Sequence, residues 1–401
     1  MTRPAMSQGA AFACLVYAFT VVMLGTTLPT PMYALYAKEL DFSVLITTVI
    51  FATYAAGVLV ALIGFGRWSD TLGRKPLLLA GALLAVVSAL VFVTAGPVWQ
   101  LLIGRFISGL SAGIYAGTAT AAVIEAAPES WRARAPAIAT AANMGGLGLG
   151  PLVAGLLVEY AAWPLHLSFL LHIGLLAVVL AGVTFVPESV QVQPGARPHV
   201  QRLAVPPEIR ALFLRAAIAA FAGFAVFGLF TSVAPSFLAE IIGVDNHAVA
   251  GLIVFSVFAA SAAAQILGRG LGTSTALVAG CTLLVVGTLV IAAALLAESL
   301  PILIVAALLA GVGQGISFSK GLGGIAEATP IARRAEVTST YFVVAYIAIS
   351  VPVIGEGFAA EHWGLRTAGI VFTLLVAALA LIALVATVIA ARRDAPVRVA
   401  D

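Results

Sequence analysis

The sequence predicts an all-α integral membrane protein with twelve transmembrane helices, arranged as two six-helix bundles related by an internal repeat. Three observations predict this fold: a composition poor in charge, regularly spaced apolar segments, and two halves that resemble each other. Of the 401 residues, 62% are hydrophobic and 9% are charged, and the mean hydropathy is +1.12. A soluble domain carries about 25% charged residues. Most of the exterior must therefore face lipid.

The apolar segments have the length of membrane spans, which is about 20 residues. The longest polar interval, residues 188–210, has six such segments on each side. We therefore predict an N-terminal bundle over 1–187, a central loop over 188–210, and a C-terminal bundle with a short tail over 211–401. Helices 1 to 12 are predicted near residues 10–33, 45–66, 77–95, 100–124, 136–160, 166–187, 211–239, 248–268, 275–296, 302–326, 335–360 and 365–391.

The positions of lysine and arginine predict the orientation, because cytoplasmic loops are enriched in both residues. With the N-terminus inside, sixteen of the twenty basic residues fall in cytoplasmic segments. The outer connections hold only Lys38 and Arg366, while Arg105 and Lys320 lie within predicted helices. Both termini and the central loop are thus predicted to be cytoplasmic, in a bacterial inner membrane.

A shift of 202 positions aligns the two halves. Parallel six-helix repeats are a transporter architecture, with the substrate site near the bilayer midplane between the halves. The shift pairs glycines and loop charges alike: Gly109 with Gly311, Gly113 with Gly315, Glu125 with Glu327, Arg132 with Arg334, and Gly66-Arg67 with Gly268-Arg269.

The connection between predicted helices 2 and 3 reads GRWSDTLGRK over residues 66–75. It resembles the loop signature G-x-L-x-D-x-x-G-R-K of the major facilitator superfamily, with Trp68 at the usual leucine position. The pattern Arg105-x-x-x-Gly109 is similar to that of helix 4 in the same family. The resemblance extends over essentially the whole chain and implies a transporter fold.

Predicted helix 5 carries Gly146-x-x-x-Gly150-Pro151-x-x-Ala154-Gly155. With Ala154 replacing one glycine, it resembles the motif of drug:proton antiporter-type exporters with twelve helices. Small residues let helices approach closely, and a proline permits a bend. We interpret these residues as a helix-packing motif. Helix 1 lacks the buried acid that several proton-driven drug exporters carry.

The 66–75 loop also predicts a conformational latch. A helix N-terminus favours a nearby carboxylate by about 0.3–1 kcal/mol, so Asp70 is expected to dock at the start of helix 11. Arg74 is expected to bridge Asp70 to Glu125, closing the cytoplasmic side. Anchoring by positive charge alone is the alternative, but it leaves the acid and the glycines unexplained. The latch residues are Gly66, Asp70, Gly73, Arg74, Lys75 and Glu125.

Ionisable residues inside spans cost about 2.5–3.5 kcal/mol on insertion scales and indicate function. Arg105 and Glu356 lie at similar depth, roughly 7–9 Å from the outer face at 1.5 Å per residue. They are predicted to form the pair that couples transport to proton movement, with solvation at the membrane interface as the alternative for Glu356. Gln314, Ser317 and Lys320 recur every third residue and predict a polar cavity wall. The alternative for Lys320 is a side chain that reaches cytoplasmic water.

Uncharged candidates for the substrate cavity are distributed over both halves. The chain contains two asparagines, Asn143 and Asn246, so a sugar cargo is less favoured than an amphipathic or lipophilic compound, which could be anionic. The remaining cavity candidates are Thr26, Thr27, Tyr115, Thr118, Phe227 and Tyr341.

No enzyme signature accompanies these features. The glycine runs at 146–150 and 311–315 lie inside predicted spans, with no preceding strand, and therefore predict no phosphate loop. The sequence predicts no enzyme activity, no cofactor, no metal site and no nucleic-acid partner. It predicts a proton-coupled secondary transporter for drug or metabolite efflux that functions as a monomer in lipid. An uptake carrier of the same fold is the main alternative, followed by a passive channel or a signalling membrane protein.

Overall fold

The structure is a computed structural model that describes residues 6–66, 68–190 and 201–394. Arg67 and residues 191–200 of the predicted central loop lie outside this described part. Twelve helices within it are long and apolar enough to cross a membrane, which confirms the predicted number of spans. The spans are α1 Gln8–Thr27, α2 Val44–Phe65, α3 Arg74–Val93, α4 Val98–Ala126, α5 Ala135–Tyr160, α6 Leu167–Phe185, α7 Arg210–Ser232, α8 His247–Leu267, α9 Thr273–Ala297, α10 Leu300–Ala328, α11 Arg334–Trp363 and α12 Leu365–Asp394.

An α-helix pairs the backbone N–H and C=O groups of a segment with each other. In lipid no water can pair with exposed N–H and C=O groups, so even segments rich in valine and isoleucine become helical. The threonine hydroxyls of the spans follow the same rule, since most of them donate to the carbonyl three or four residues earlier, as Thr231 does to Phe227 at 2.6 Å. The described residues contain no strand.

Two spans extend beyond their regular helix, and prolines mark both places. After α1, the chain continues as a 3-10 turn, Thr30–Met32, and a short helix, Tyr33–Leu40. After α7, it continues as Ala234–Ser236 and a π-helical segment, Phe237–Ile242. Pro31 and Pro235 have no N–H to donate, so one bond of the regular helical ladder is missing at each of these places.

The connections between spans collect at two ends of the molecule because successive spans alternate in direction. One end carries the connections around 66–73, 127–134, 268–272 and 329–333, which are rich in arginine. We call this end the basic face. The opposite face carries the connections around 41–43, 94–97, 161–166, 243–246 and 298–299.

The internal repeat is visible in how helices pack. A Cβ on Gly109 of α4 would collide with the carbonyl of Tyr54 on α2. Its repeat partner Gly311 on α10 lies in the same way against the carbonyl of Val257 on α8. Equivalent glycines therefore bring equivalent helix pairs into close contact in the two halves.

Candidate functional site

Arg74 lies between two carboxylates at the basic face. Its Nη1 is 2.6 Å from Asp70 Oδ1, and its Nη2 is 2.9 Å from Glu125 Oε1. The guanidinium also donates to Ser69 Oγ at 2.7 Å. The Arg74 side chain is 13% exposed, whereas that of Asp70 is 60% exposed. The structure thus brings Asp70, Arg74 and Glu125 together within the N-terminal half.

Glu188 completes this cluster, and the sequence analysis gave it no role. Its Oε1 accepts from the Arg74 backbone N–H at 2.9 Å, and its Oε2 accepts from that of Lys75 at 3.0 Å. Glu188 therefore caps the first turn of α3, which has no N-cap side chain of its own. The sequence did indicate that an acceptor was needed, because Gly73 at the N-cap position has no side chain to accept from the free N–H groups at the helix start.

The remaining latch residues have defined places in the same region. Gly73, just before α3, adopts φ +101°, a conformation that favours glycine. Lys75 Nζ donates to the Thr184 carbonyl at 2.5 Å, tying α3 to the end of α6. Ser189 Oγ donates to Glu125 Oε2 at 2.6 Å. Gly66 caps the C-terminus of α2.

The expected docking of Asp70 at the start of α11 is not formed in this conformation. Among the described residues, the ion-pair partner of Asp70 is Arg74, and most of its side chain is exposed. Glu336, in the first turn of α11, is instead 3.6 Å from Arg333. At the basic face, the Arg74 cluster is therefore internal to the N-terminal half.

At the opposite face, by contrast, the two halves are in close contact. Glu159 Oε2 at the end of α5 accepts from the backbone N–H of His247 at 2.9 Å and lies 3.2 Å from its Nδ1. A Cβ on Gly155 would collide with the His247 carbonyl, and a Cβ on Gly251 with the Pro151 carbonyl. The α5 and α8 backbones are therefore packed against each other.

A second contact between the halves joins α2 to α11 at the same face. A Cβ on Gly357 of α11 would collide with the Thr48 side chain, and it would lie 3.1 Å from Leu45 Cα. Both Thr48 and Gly357 are buried. The two contacts together show that the halves are closed against each other at the opposite face.

The glycine motif of α5 is placed between α1 and α8. Gly146 packs against the Thr20 carbonyl and the Met23 side chain of α1, and Gly150 packs against the Leu24 carbonyl. The Thr27 hydroxyl donates to the Leu147 carbonyl at 2.8 Å, so it links α1 to α5. Closer to the opposite face, Pro151 and Gly155 of the same helix pack against α8, as described above.

Arg105 and Glu356 do not form the predicted pair in this conformation. The Arg105 side chain is 1% exposed, and its Nη1 donates to the Thr26 carbonyl at 2.5 Å. Its guanidinium lies 4.7 Å from the centre of the Tyr54 ring and 5.7 Å from that of Phe51. Arg105 therefore links α1, α2 and α4 within the N-terminal half.

Glu356 is buried in the C-terminal half. It is 3% exposed, and neither carboxylate oxygen has a hydrogen-bond partner among the described residues. The residue lines a groove between α7, α11 and α12. The reason for the missed pairing is rotational, because equal depth along two helices does not fix which way their side chains point.

The three residues of the predicted polar stripe on α10 do not line one cavity in this conformation, since Lys320 lines a cavity from which Gln314 and Ser317 are absent. Positions three residues apart are rotated by about 60° on a helix, so Gln314 and Lys320 point about 120° apart. Gln314 accepts from Ser261 Oγ at 2.6 Å, and Ser317 donates to the Gln314 carbonyl at 3.2 Å, both inside the C-terminal half. Lys320 Nζ donates to the carbonyls of Arg269 and Leu271 at 2.8 and 2.6 Å.

Lys320 does line a cavity at the basic face. The cavity has a volume of about 240 Å³ and lies between α5, α8, α9 and α10. Thr140 contributes from the N-terminal half, while Gln265, Arg269 and Glu327 contribute from the C-terminal half. Space between the halves is thus present at the basic face.

The other cavity candidates are buried side chains in this conformation. Phe227 packs against Phe258 with ring centres 4.7 Å apart, and the Tyr341 hydroxyl donates to the Ala216 carbonyl at 3.3 Å. The hydroxyl of Thr26 donates to the Met23 carbonyl of its own helix at 2.7 Å. Tyr115 and Thr118 are buried in α4 at 0% and 5% exposure.

Comparison with known families gives one match over most of the chain. Residues 15–351 match the family described as Major Facilitator Superfamily. The chain belongs to this superfamily. The match confirms the family that the 66–75 loop and the two-fold repeat suggested.

Curated relatives in the superfamily match shorter stretches. The tetracycline resistance protein, class E, of Escherichia coli is 34% identical over 107 residues, which are 27% of this chain and 26% of that protein. The multidrug resistance protein MdtD of Salmonella typhimurium is 27% identical over 157 residues, which are 39% of this chain and 33% of that protein. The matches therefore span about a quarter to a third of these relatives.

Solved structures of the superfamily share the fold over nearly the full length. A bacterial homologue of the human lysosomal transporter Spinster, inward-facing and unoccupied, has a TM-score of 0.72 at 16% identity, covering 95% of this chain and 98% of that one. The human organic anion transporter MFSD10 has a TM-score of 0.66 at 16% identity, covering 95% and 100%. At these identities the likeness establishes the transporter fold.

Proposed function

We propose that this superfamily member is a secondary active transporter that exports small lipophilic or amphipathic compounds in exchange for protons. The observation that carries the proposal is the asymmetry between the two faces. The halves are packed together at the opposite face, whereas at the basic face a cavity lined by residues of both halves is present and Asp70 is not docked on α11. A carrier that alternates must close one face while the other is open.

The proposed cycle is a rocking movement of residues 1–187 against residues 211–401. The basic face is cytoplasmic, as are both termini, because arginine and lysine concentrate in its connections. Opening of the outer face breaks the Glu159–His247 contact and separates Gly357 from Thr48. Closing of the inner face then lets Asp70 reach the N-terminus of α11, where the helix dipole favours a carboxylate.

Export rather than uptake is supported by the α5 motif and by the relatives. The motif from Gly146 to Gly155 resembles that of proton-exchanging exporters, and two matched relatives are named for tetracycline resistance and multidrug resistance. A lipophilic or amphipathic substrate agrees with the scarcity of amide side chains in the spans.

For proton coupling we propose Glu356 as the carrier. Ionisable residues buried in spans are expensive, and in pumps and transporters such residues form proton relays. Glu356 has no protein partner in the described part of the chain, so protonation would break no existing bond. Arg105 is instead proposed to hold α1, α2 and α4 together during rocking.

Transport can be tested with the purified chain in proteoliposomes and with an exporter-deficient bacterial strain. Tetracycline and lipophilic dyes should accumulate less in cells that produce the protein than in cells with an empty vector. An imposed pH gradient should drive accumulation in proteoliposomes, with counterflow when substrate is present on both sides. Greater accumulation in cells would instead indicate an uptake carrier, and equilibration without counterflow would indicate a passive channel.

A further inference from the structure

The groove that contains Glu356 is lined by residues of the C-terminal half. It has a volume of about 490 Å³, which is within the range of about 300–1,000 Å³ typical of small-molecule sites. Its walls come from α7, from the outer part of α11 and from the first half of α12, and include Phe221, Glu356, Phe358, Trp363, Phe372 and Leu375.

The wall of the groove is apolar and aromatic apart from two titratable side chains. Glu356 is one of them, and its carboxylate oxygens are buried without a partner among the described residues. The other is His362, whose Nδ1 donates to the Phe358 carbonyl at 2.9 Å. A buried carboxylate in apolar surroundings is costly unless it is paired or protonated. Among the described residues that line the groove, there is thus one acidic side chain and no lysine or arginine.

The aromatic side chains of the groove also favour a positively charged ligand. Phe221, Phe358, Trp363 and Phe372 come from three helices and line the same space. The faces of aromatic rings attract cations, most strongly when the cation has lost its water. An acid surrounded by aromatic rings therefore matches a positively charged ligand whose remaining surface is apolar.

We propose that this groove binds a lipophilic monocation, with Glu356 pairing its charge and the aromatic rings covering its apolar surface. The carboxylate turns from its buried position toward the groove when the cation enters. We place the access on the lipid side, because Phe358, Trp363 and Leu375 are 56%, 59% and 63% exposed on helices with the length and hydropathy of membrane spans. The assignment rests on the proposed export function, to which it adds the charge class of the substrate.

Binding of tetraphenylphosphonium to the full chain in lipid nanodiscs tests the site directly. Saturable binding is expected, and Glu356→Gln should weaken it at least tenfold because the replacement keeps the shape and removes the charge. Tetraphenylborate, an anion of the same shape, should bind no more tightly to the native chain than to Glu356→Gln. Equal binding of the two ions to the native chain would overturn the proposal and indicate a cleft for acyl chains.

A steric variant keeps the test informative if Glu356→Gln folds poorly. Gly355 lines the groove, and a Cβ there meets no atom within 4 Å, so Gly355→Leu can fill the groove without displacing protein. It should abolish cation binding. Gly174→Leu on α6 is the matched control, because Gly174 also has open space around its Cβ and lies outside the groove. If Gly355→Leu binds the cation as the native chain does, the cation does not bind in this groove.

The same preparation distinguishes failure of this site from failure of the transport function. If the cation binds and Glu356→Gln weakens binding, but proteoliposomes show no gradient-driven movement of any substrate, the groove stands and the export proposal fails. If substrates are exported while Glu356→Gln and Gly355→Leu bind the cation as the native chain does, export stands and the groove assignment is wrong.

Discussion

Glu159 Oε2 meets both the backbone N–H and the imidazole Nδ1 of His247, at 2.9 and 3.2 Å, and so joins the two halves at the opposite face. His247 is the first residue of α8, and Asn246 caps that helix by accepting from the Val249 N–H at 2.9 Å. The carboxylate thus interacts with a helix N-terminus, where partial positive charge favours it. Opening of this face requires that the contact break.

The first prediction is that Glu159→Gln shifts the protein toward opening of the opposite face. Loss of a partly exposed charged contact is worth about 1 kcal/mol, a factor of about five in the ratio of the two conformations. Spin labels at Asp41 and Asp245, which lie in connections of different halves at this face, should report a larger fraction of long distances. Both positions are exposed.

Glu298→Gln is the matched control for this prediction. Glu298 also forms an ion pair at the opposite face, but its partner Arg366 belongs to the same half. The distance distribution should therefore remain that of the native chain. An equal shift in both variants would show that general loss of charge, rather than the Glu159–His247 contact, controls this face.

The second prediction concerns Asp70 at the basic face. Asp70→Asn should retain expression and fold, because its side chain is 60% exposed, but it should reduce transport. The docked carboxylate is worth about 0.3–1 kcal/mol, so the inner-closed conformation should become about two- to fivefold less populated. A single cysteine at Thr140, in a background without Cys14 and Cys281, should label faster in the variant.

Glu129→Gln serves as the control for Asp70→Asn, because Glu129 is an exposed acid in a neighbouring connection of the same face. It should leave transport and labelling of the Thr140 cysteine unchanged. If Asp70→Asn also leaves both unchanged, Asp70 has no part in closing the inner face.

The fold was predictable from the sequence because hydropathy and loop charge act over whole segments. The twelve spans were readable for this reason, while the family and the close approach of Gly146 and Gly150 were readable from local motifs. Side-chain direction was not readable: a helix turns by 100° per residue, so small errors in phase move a residue to another face. Gln314, Lys320 and Glu356 were therefore placed in the spans that contain them but beside other neighbours than the structure shows.

Contacts between segments distant in sequence were the other missing information. Nothing near Glu188 in the sequence shows that it caps α3, because its two acceptor contacts are with residues more than a hundred positions away. The Glu159–His247 contact joins residues 88 positions apart, for the same reason. Both contacts depend on how the helices assemble, which a local pattern does not encode.

The third prediction is that Lys320→Ala lowers stability rather than changing the range of substrates. Lys320 Nζ donates to two carbonyls in the connection between α8 and α9, and loss of these charge-assisted bonds at a partly solvated site should cost about 1 kcal/mol. A lower thermal midpoint should report it, and Lys320→Arg should restore part of the loss. Changed substrate affinity at unchanged stability would favour the cavity role instead.

The fourth prediction tests the orientation. A cysteine at Gly195, which lies outside the described residues, should be protected from impermeant thiol reagents in intact cells if the central loop is cytoplasmic, as we propose. A cysteine at Asp245, in an exposed connection of the opposite face, should be labelled. Both variants should be labelled equally after the cells are permeabilised. Protection of Asp245 with labelling of Gly195 would reverse the assigned orientation.

The last prediction is that Glu356→Gln separates proton coupling from substrate movement. Glutamine has the size of glutamate but cannot gain or lose a proton, so accumulation driven by a pH gradient should fall to the level of empty liposomes. Exchange of substrate at equilibrium needs only the rocking movement, and the buried site accepts a neutral amide, so exchange should persist for uncharged substrates. Arg105→Gln is the comparison, because Arg105 links α1, α2 and α4 without touching Glu356. It should slow accumulation and exchange together, and the two substitutions should have additive effects on stability, to within about 0.5 kcal/mol. A Glu356→Gln protein that still concentrates an uncharged substrate against its gradient would exclude this carboxyl group from coupling.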